Sequence, residues 1–151
     1  MITITRSDRN DAKAILELQK LAYLSEAQPY NDSSIPPLVQ SLANLESEYQ
    51  THVFLKAVRN GDIIGSVRAY EKDRTCHIGR LIVHPDHQNK GIGSHLMNRI
   101  EEEFSDSLRF ELFTGSKSGK NLAFYQKLGY RIFRYGKLND MIEFAYLEKI
   151  Q

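Results

Sequence analysis

The segment from Cys76 to Phe113 constrains the fold more than any other. Cys76 to Val83 reads as a strand. Gln88-Asn89-Lys90-Gly91-Ile92-Gly93 follows, and then Ile92, Leu96, Ile100 and Phe104 recur every four residues before Leu108 to Phe113 returns to strand. Strand, glycine-rich turn, helix burying one face, strand is the unit around which a layered α/β domain is built. Two glycines at the start of a helix each cost about 1 kcal/mol relative to alanine. Their presence calls for a compensating role.

The flanking sequence supplies the remaining layers. Ile2 to Thr5 alternates like a short strand, and Ser7 or Asp8 is placed to cap a helix carrying Ala14, Ile15, Leu18 and Leu21. Pro36 and Pro37 suit the first turn of a second helix running through Leu38, Leu42 and Leu45. His52 to Val58 and Ile63 to Tyr70 read as strands joined by Asn60-Gly61, the strongest short hairpin signal. Leu122 to Leu128 is a short helix closed by Gly129, and Tyr130 to Arg134 and Met141 to Leu147 are closing strands. The expected order is β-α-α-β-β-β-α-β-α-β-β: α/β, one mixed sheet, helices on its faces, in a single domain over residues 1–151.

Several function classes recede on composition. A formal net charge of +1 gives no global field for nucleic acid. One cysteine, Cys76, permits no internal disulfide, which fits a reducing compartment. The start, MITITRSDRNDAK, lacks the apolar run of a signal peptide, and no stretch approaches the roughly 18 apolar residues of a membrane span. The expectation is a cytoplasmic protein with no nucleic-acid or membrane partner.

The glycine turn has a chemical reading. Glycine lets backbone approach a ligand closely, and a helix N-terminus offers unpaired N–H groups and partial positive charge. Amides from Gln88 through Asn89, Lys90, Gly91, Ile92 and Gly93 to Ser94 therefore suit a pyrophosphate. A tight helix–strand contact would demand glycine equally well. A P-loop needs Gly-Lys-Ser/Thr, and the dinucleotide fingerprint needs a third glycine where leucine stands, so neither motif is present.

LIVHPDHQNKGIGSHLM resembles the signature segment of the GCN5-related N-acetyltransferase (GNAT) superfamily, Q/R-x-x-G-x-G/A after a strand ending in V-x-P. NLAFYQKLGYRIF resembles that family's second cofactor segment, and a strand separates the two, as in the family. The match is specific from Cys76 to Phe133 and extends to the order of elements elsewhere. It implies a seven-stranded, mostly antiparallel sheet and transfer of an acetyl group from acetyl-CoA, with no metal, to a primary amine of a small molecule or peptide in a ternary complex.

By position, the resemblance assigns the pyrophosphate to Gln88–Ser94 and the pantetheine arm to Leu81, Ile82 and Val83, between splayed strands. It assigns polarisation of the thioester carbonyl to the Leu81 N–H; one such donor is worth roughly 3 kcal/mol. Tyr125, with an ordinary phenol pKa of about 10, matches the residue that protonates the departing thiolate. His77 falls where some members carry a glutamate base. Period-two geometry would put it on one face with Gly79, Leu81 and Val83; Glu71 or a water chain are equal alternatives. The family's asparagine, seven residues before the tyrosine, is replaced by Ser118, so either Ser118 or Asn121 contacts the cofactor or simply caps the helix.

His77, His84, His87 and His95 raise a metal site, but Pro85 and the adjoining anion turn argue for a loop. A non-catalytic acyl-CoA-binding or protein-interaction module is the competing class, and a homodimer is left open. The acceptor would meet the segment from Leu24 to Ile35, with Glu26, Tyr30, Asn31 and Asp32, whose composition equally suits a solvated loop and names no substrate.

Overall fold

The alternating N-terminal residues form β1 (Thr3–Arg6). The structure, a computed structural model, describes residues 1–27 and 35–151, of which 25–27 by backbone alone. Asp8, not Ser7, starts the helical run. Its carboxylate accepts the Asn10 N–H at 2.8 Å and its own N–H donates to Asp11 at 3.1 Å, closing a capping box over a 3-10 turn that leads into α1 (Ala12–Ala27). The Ser7 hydroxyl instead bonds Asp11 and the Tyr49 hydroxyl.

The expected second helix is two. After α2 (Pro36–Val39), Gln40 turns to ψ 135°, and Ser41 accepts the Asn44 N–H at 3.1 Å to cap α3 (Leu42–Glu48). A serine favouring the cap over the helix interior divides a run of leucines at helical spacing.

β2 (Val53–Arg59) and β3 (Asp62–Lys72) pair antiparallel across Asn60 and Gly61, both at positive φ (52° and 83°), as a type I′ turn requires. β4 (Thr75–Val83) follows, then α4 (Ile92–Glu103), β5 (Arg109–Gly115), α5 (Gly119–Lys127) ended by Gly129 at φ 101°, β6 (Arg131–Lys137) and β7 (Glu143–Ile150). The described residues form one seven-stranded sheet, ordered β1-β2-β3-β4-β5-β7-β6, in which only β4 and β5 run parallel.

Helices cover both faces. Ile15 and Leu18 of α1 and Leu45 of α3 pack on Phe54 and Ile82; Leu96, Met97 and Ile100 of α4 and Tyr125 of α5 pack on Val67, Cys76, Ile78 and Phe110. A buried guanidinium ties the first layer to the sheet. Arg68, 3% exposed, donates to both carboxylate oxygens of Glu48 at 3.0 and 3.1 Å, to Gln19 at 3.0 Å and to Gln40 at 3.1 Å. Every donor direction but one is thereby used, which is what keeps a buried charge tolerable.

On the opposite face α4 comes close to β3 at Gly65. A methyl group there would lie 3.1 Å from Leu96 Cδ1, 3.2 Å from the Ile82 carbonyl and 3.3 Å from Ile92 Cγ2. Gly65→Ala should therefore lower stability by about 1–3 kcal/mol through overpacking, read as a lower urea midpoint at unchanged m-value.

Candidate active site

β4 and β5 part company. Their ladder consists of Thr75 with Arg109, Cys76 with Phe110 and His77 with Glu111, although β4 continues to Val83 and β5 to Gly115. Beyond this last rung each strand stays paired on its outer side, β4 with β3 and β5 with β7. The inner edges from Ile78 and from Leu112 onward thus form a wedge.

A bulge lies at the wedge. Arg68 faces Gly79 and Ser66 faces Ile82, so Arg80 and Leu81 together oppose Val67. Arg80 sits at φ 51°, strained for a residue with a side chain and of a kind found near functional sites. The bulge reverses the facing of everything after it. Cys76 and Ile78 lie in the α4 core, Ile82 lies in the α1 core, and Leu81 and Val83 pack toward α4. The expectation that His77, Gly79, Leu81 and Val83 share one face is corrected. His77 and Gly79 look toward the α1 side, Leu81 and Val83 toward α4 and α5, because one inserted residue shifts the period.

The connection out of β4 is tightly tied. The His84 N–H donates to the Ile64 carbonyl at 2.8 Å, and His84 Nδ1 accepts the Asp86 N–H at 3.0 Å. Gln88 Nε2 donates to the Val83 carbonyl at 3.2 Å. Asn89 (φ 63°) and Gly91 (φ 82°) are both left-handed, and α4 starts after Gly91 with no side-chain cap. The His95 N–H, on the Gly91 carbonyl at 3.1 Å, opens the helical ladder, which leaves the amides from Gly91 to Ser94 without helical acceptors. The two glycines serve different ends. A side chain on Gly91 would meet nothing within 4 Å, so backbone conformation is what requires glycine there. On Gly93 it would lie 3.3 Å from Phe124 and 3.9 Å from Leu81, so close packing of α4, α5 and β4 requires glycine there. The tight helix–strand contact expected as one reading of the turn is present at Gly93.

α5 borders the same wedge. Tyr125 is 9% exposed, its ring edge-on to Phe124 at 5.1 Å and to Tyr130 at 6.1 Å. Asn121 donates to the Thr114 hydroxyl on β5 at 3.3 Å. Ser118 occupies the N-cap position, but its hydroxyl makes no capping bond. The Tyr130 phenol, buried and donating to Glu101 at 2.8 Å, has its pKa pushed up, mainly by desolvation.

On the opposite face the His77 ring stacks on Tyr70 (4.9 Å, 17°), and its Nδ1 lies 3.8 Å from Glu111 Oε2. Glu71 is elsewhere. It pairs with Cys76 at the closed end of the β3–β4 hairpin, on the α4 face, and accepts the Ser107 hydroxyl. Glu111 escapes sequence reading because only the parallel register brings it beside His77. Phe113, Phe144 and Tyr146 escape it for the same reason: they are neighbours across β5 and β7, with ring centroids 4.9 and 5.4 Å from Phe113, on the face that His77 shares. The acceptor-loop residues Tyr30, Asn31 and Asp32, and the Glu26 side chain, lie outside the described residues.

A sequence model of the acetyltransferase (GNAT) family matches residues 12–130. The chain belongs to that family. It is 29% identical over 121 residues to the UPF0157 protein YqkA of Bacillus subtilis, covering 80% of this chain and 34% of that protein, so it spans about a third of that relative's length. It is 27% identical over 137 residues to the L-amino acid N-acyltransferase MnaT of Escherichia coli, covering 85% and 79%. The PaiA N-acetyltransferase of Thermoplasma acidophilum, solved in complex with coenzyme A, superposes with a TM-score of 0.83 at 19% identity over 100% of this chain and 99% of that one, a likeness of fold.

One more group in this GNAT domain bears on chemistry. Cys76, the sole thiol, is fully buried, and desolvation pushes its pKa up to about 12. A thiol so protonated and enclosed is a poor acyl carrier. Native protein should therefore resist a thiol reagent such as DTNB until unfolded, and Cys76→Ala should leave any transferase turnover within about twofold.

Proposed function

We propose that this domain transfers an acetyl group from acetyl-CoA to the primary amine of a small molecule, by direct attack within a ternary complex. One observation carries the reading: the wedge between β4 and β5, with the bulge at Arg80 and Leu81 at its edge, opens beside the amides that start α4, which have no helical acceptors. The open surroundings of Gly91 leave room for a diphosphate on the amides from Gln88 to Ser94. The inner edge at Leu81, Ile82 and Val83 supplies strand-like hydrogen bonds for a pantetheine arm, and Asn121 or Ser118 supplies a further contact at the mouth.

The cosubstrate brings an activated thioester; the chain's residues do the rest. The Leu81 N–H donates to the carbonyl oxygen as negative charge builds there. His77 takes the proton that the amine loses as its nitrogen bonds the carbonyl carbon, and Tyr125 gives its phenolic proton to the sulfur as the C–S bond breaks. One proton leaves the neutral amine for His77 and one reaches the thiol from Tyr125; the imidazolium and phenolate left behind return to rest by exchanging protons with solvent. Phe113, Phe144 and Tyr146 offer an aromatic surface to the rest of the acceptor. The name of the relative MnaT puts free amino acids first among acceptors to try.

An amine panel that follows thiol release tests the proposal directly. Turnover should appear with at least one small primary amine, and binding of acetyl-CoA without transfer to any amine would favour a non-catalytic module. Gly91→Glu, strained at φ 82° and negative at the phosphate turn, should weaken coenzyme A binding by about 100-fold or more in calorimetry, roughly 2.7 kcal/mol. Wild-type affinity in that variant would remove the turn from the site. Tyr125→Phe and His77→Gln should each lower kcat by about 10²-fold or more while leaving the acetyl-CoA dissociation constant within about twofold of wild type.

A further inference from the structure

The last rung of the β4–β5 ladder joins two side chains of complementary chemistry. His77 and Glu111 are register partners, and the carboxylate faces Nδ1 at 3.8 Å. We propose that Glu111 is a positioning residue for His77, fixing the ring so that Nδ1 faces the carboxylate and Nε2 is presented to the incoming amine, and stabilising the imidazolium that forms. This rests on the reading of His77 as the base.

Three observations support it. The ring is held in one plane by Tyr70, stacked at 4.9 Å, and Tyr70 is itself backed by His52 at 4.9 Å. Glu111 is held from its other side, because Arg109 donates to Oε1 at 2.9 Å and leaves Oε2 toward the histidine. Arg109 is anchored in turn, donating twice to Glu148 Oε1 at 2.9 and 3.1 Å, while Arg131 takes the other Glu148 oxygen. A carboxylate clamped by an arginine on a neighbouring position cannot swing to follow the imidazole; it sets a fixed direction for it. The side chains are neither bare nor sealed, with His77 30% and Glu111 19% exposed, so the pair retains access to an amine entering from the open face.

Among the described residues, the charged and titratable groups around the imidazole come from β3, β5 and the residue before β2. β3 brings Tyr70, and β5 brings Glu111 with Arg109 behind it; His52, just before β2, backs Tyr70 and has Glu48 of α3 at 3.6 Å. Glu148 of β7 acts one step removed, through Arg109. Among the described residues Glu111 is the carboxylate that faces the imidazole.

Glu111→Gln keeps the size and the strand, and Arg109 retains Glu148, so the variant is expected to fold with an unchanged melting temperature. In Glu111→Gln kcat should drop about tenfold with the KM for acetyl-CoA unchanged. Glu111→Asp should restore part of the lost kcat. In the His77→Gln background the Glu111 substitution should have no further effect on kcat. Wild-type kcat in Glu111→Gln, or a full additional loss of kcat in the double variant, overturns the positioning role. Wild-type kcat in His77→Gln alone overturns the base assignment instead, so the two failures are told apart.

Discussion

The site depends on the failure of two parallel strands to stay paired. β4 and β5 meet at Thr75, Cys76 and His77 and then diverge, each held by its outer neighbour. Unpaired strand edges are costly when buried and prone to pairing when exposed. A wedge of this kind persists where the surrounding sheet over-determines it and something else takes up its hydrogen bonds. The bulge at Arg80 is part of that device. It carries backbone strain of the order of 1–3 kcal/mol, and in return turns β4 so that Ile82 is buried under α1 while Leu81 and Val83 pack toward α4.

The glycine turn is held to the wedge by the same packing. Gly93 lets Phe124 of α5 and Leu81 of β4 approach α4 within van der Waals distance, so the amides at the start of α4 keep a fixed relation to the edge of β4. Gly91 contributes conformation rather than space, placing the chain in the left-handed region just before the first helical residue. A helix N-terminus with partial positive charge is thereby built onto one end of an open strand edge, a combination that suits a ligand with an anionic head and an extended amide arm.

Much of this was legible in the sequence because it is local. The hairpin at Asn60-Gly61, the cap at Gly129 and the strand–turn–helix unit all follow from a few adjacent residues, and the mixed seven-stranded sheet with helices on both faces follows from their order. The split between α2 and α3 was hidden because leucine spacing continues across Ser41, whose cap preference outweighs it. The bulge was hidden because no glycine, proline or asparagine marks it: Arg80 takes positive φ with an ordinary side chain, and a period-two reading carries straight through. Glu111, Phe113, Phe144 and Tyr146 were hidden because they reach the site only through sheet register between distant segments.

The bulge also bears on how protons would move in the proposed reaction. Before it, odd positions of β4 look toward α1; after it they look toward α4. His77 and Tyr125 therefore stand on opposite faces of the sheet, with Leu81 between them at the edge of the wedge. An amine arriving over His77 and a thiol leaving toward Tyr125 would exchange protons with different groups on different sides. Base and acid then need not touch, and each has its own surroundings: the imidazole a clamped carboxylate, the phenol the aromatic rings of Phe124 and Tyr130. A regular strand, keeping His77 and Leu81 on one face, would crowd both transfers onto the same side of the thioester.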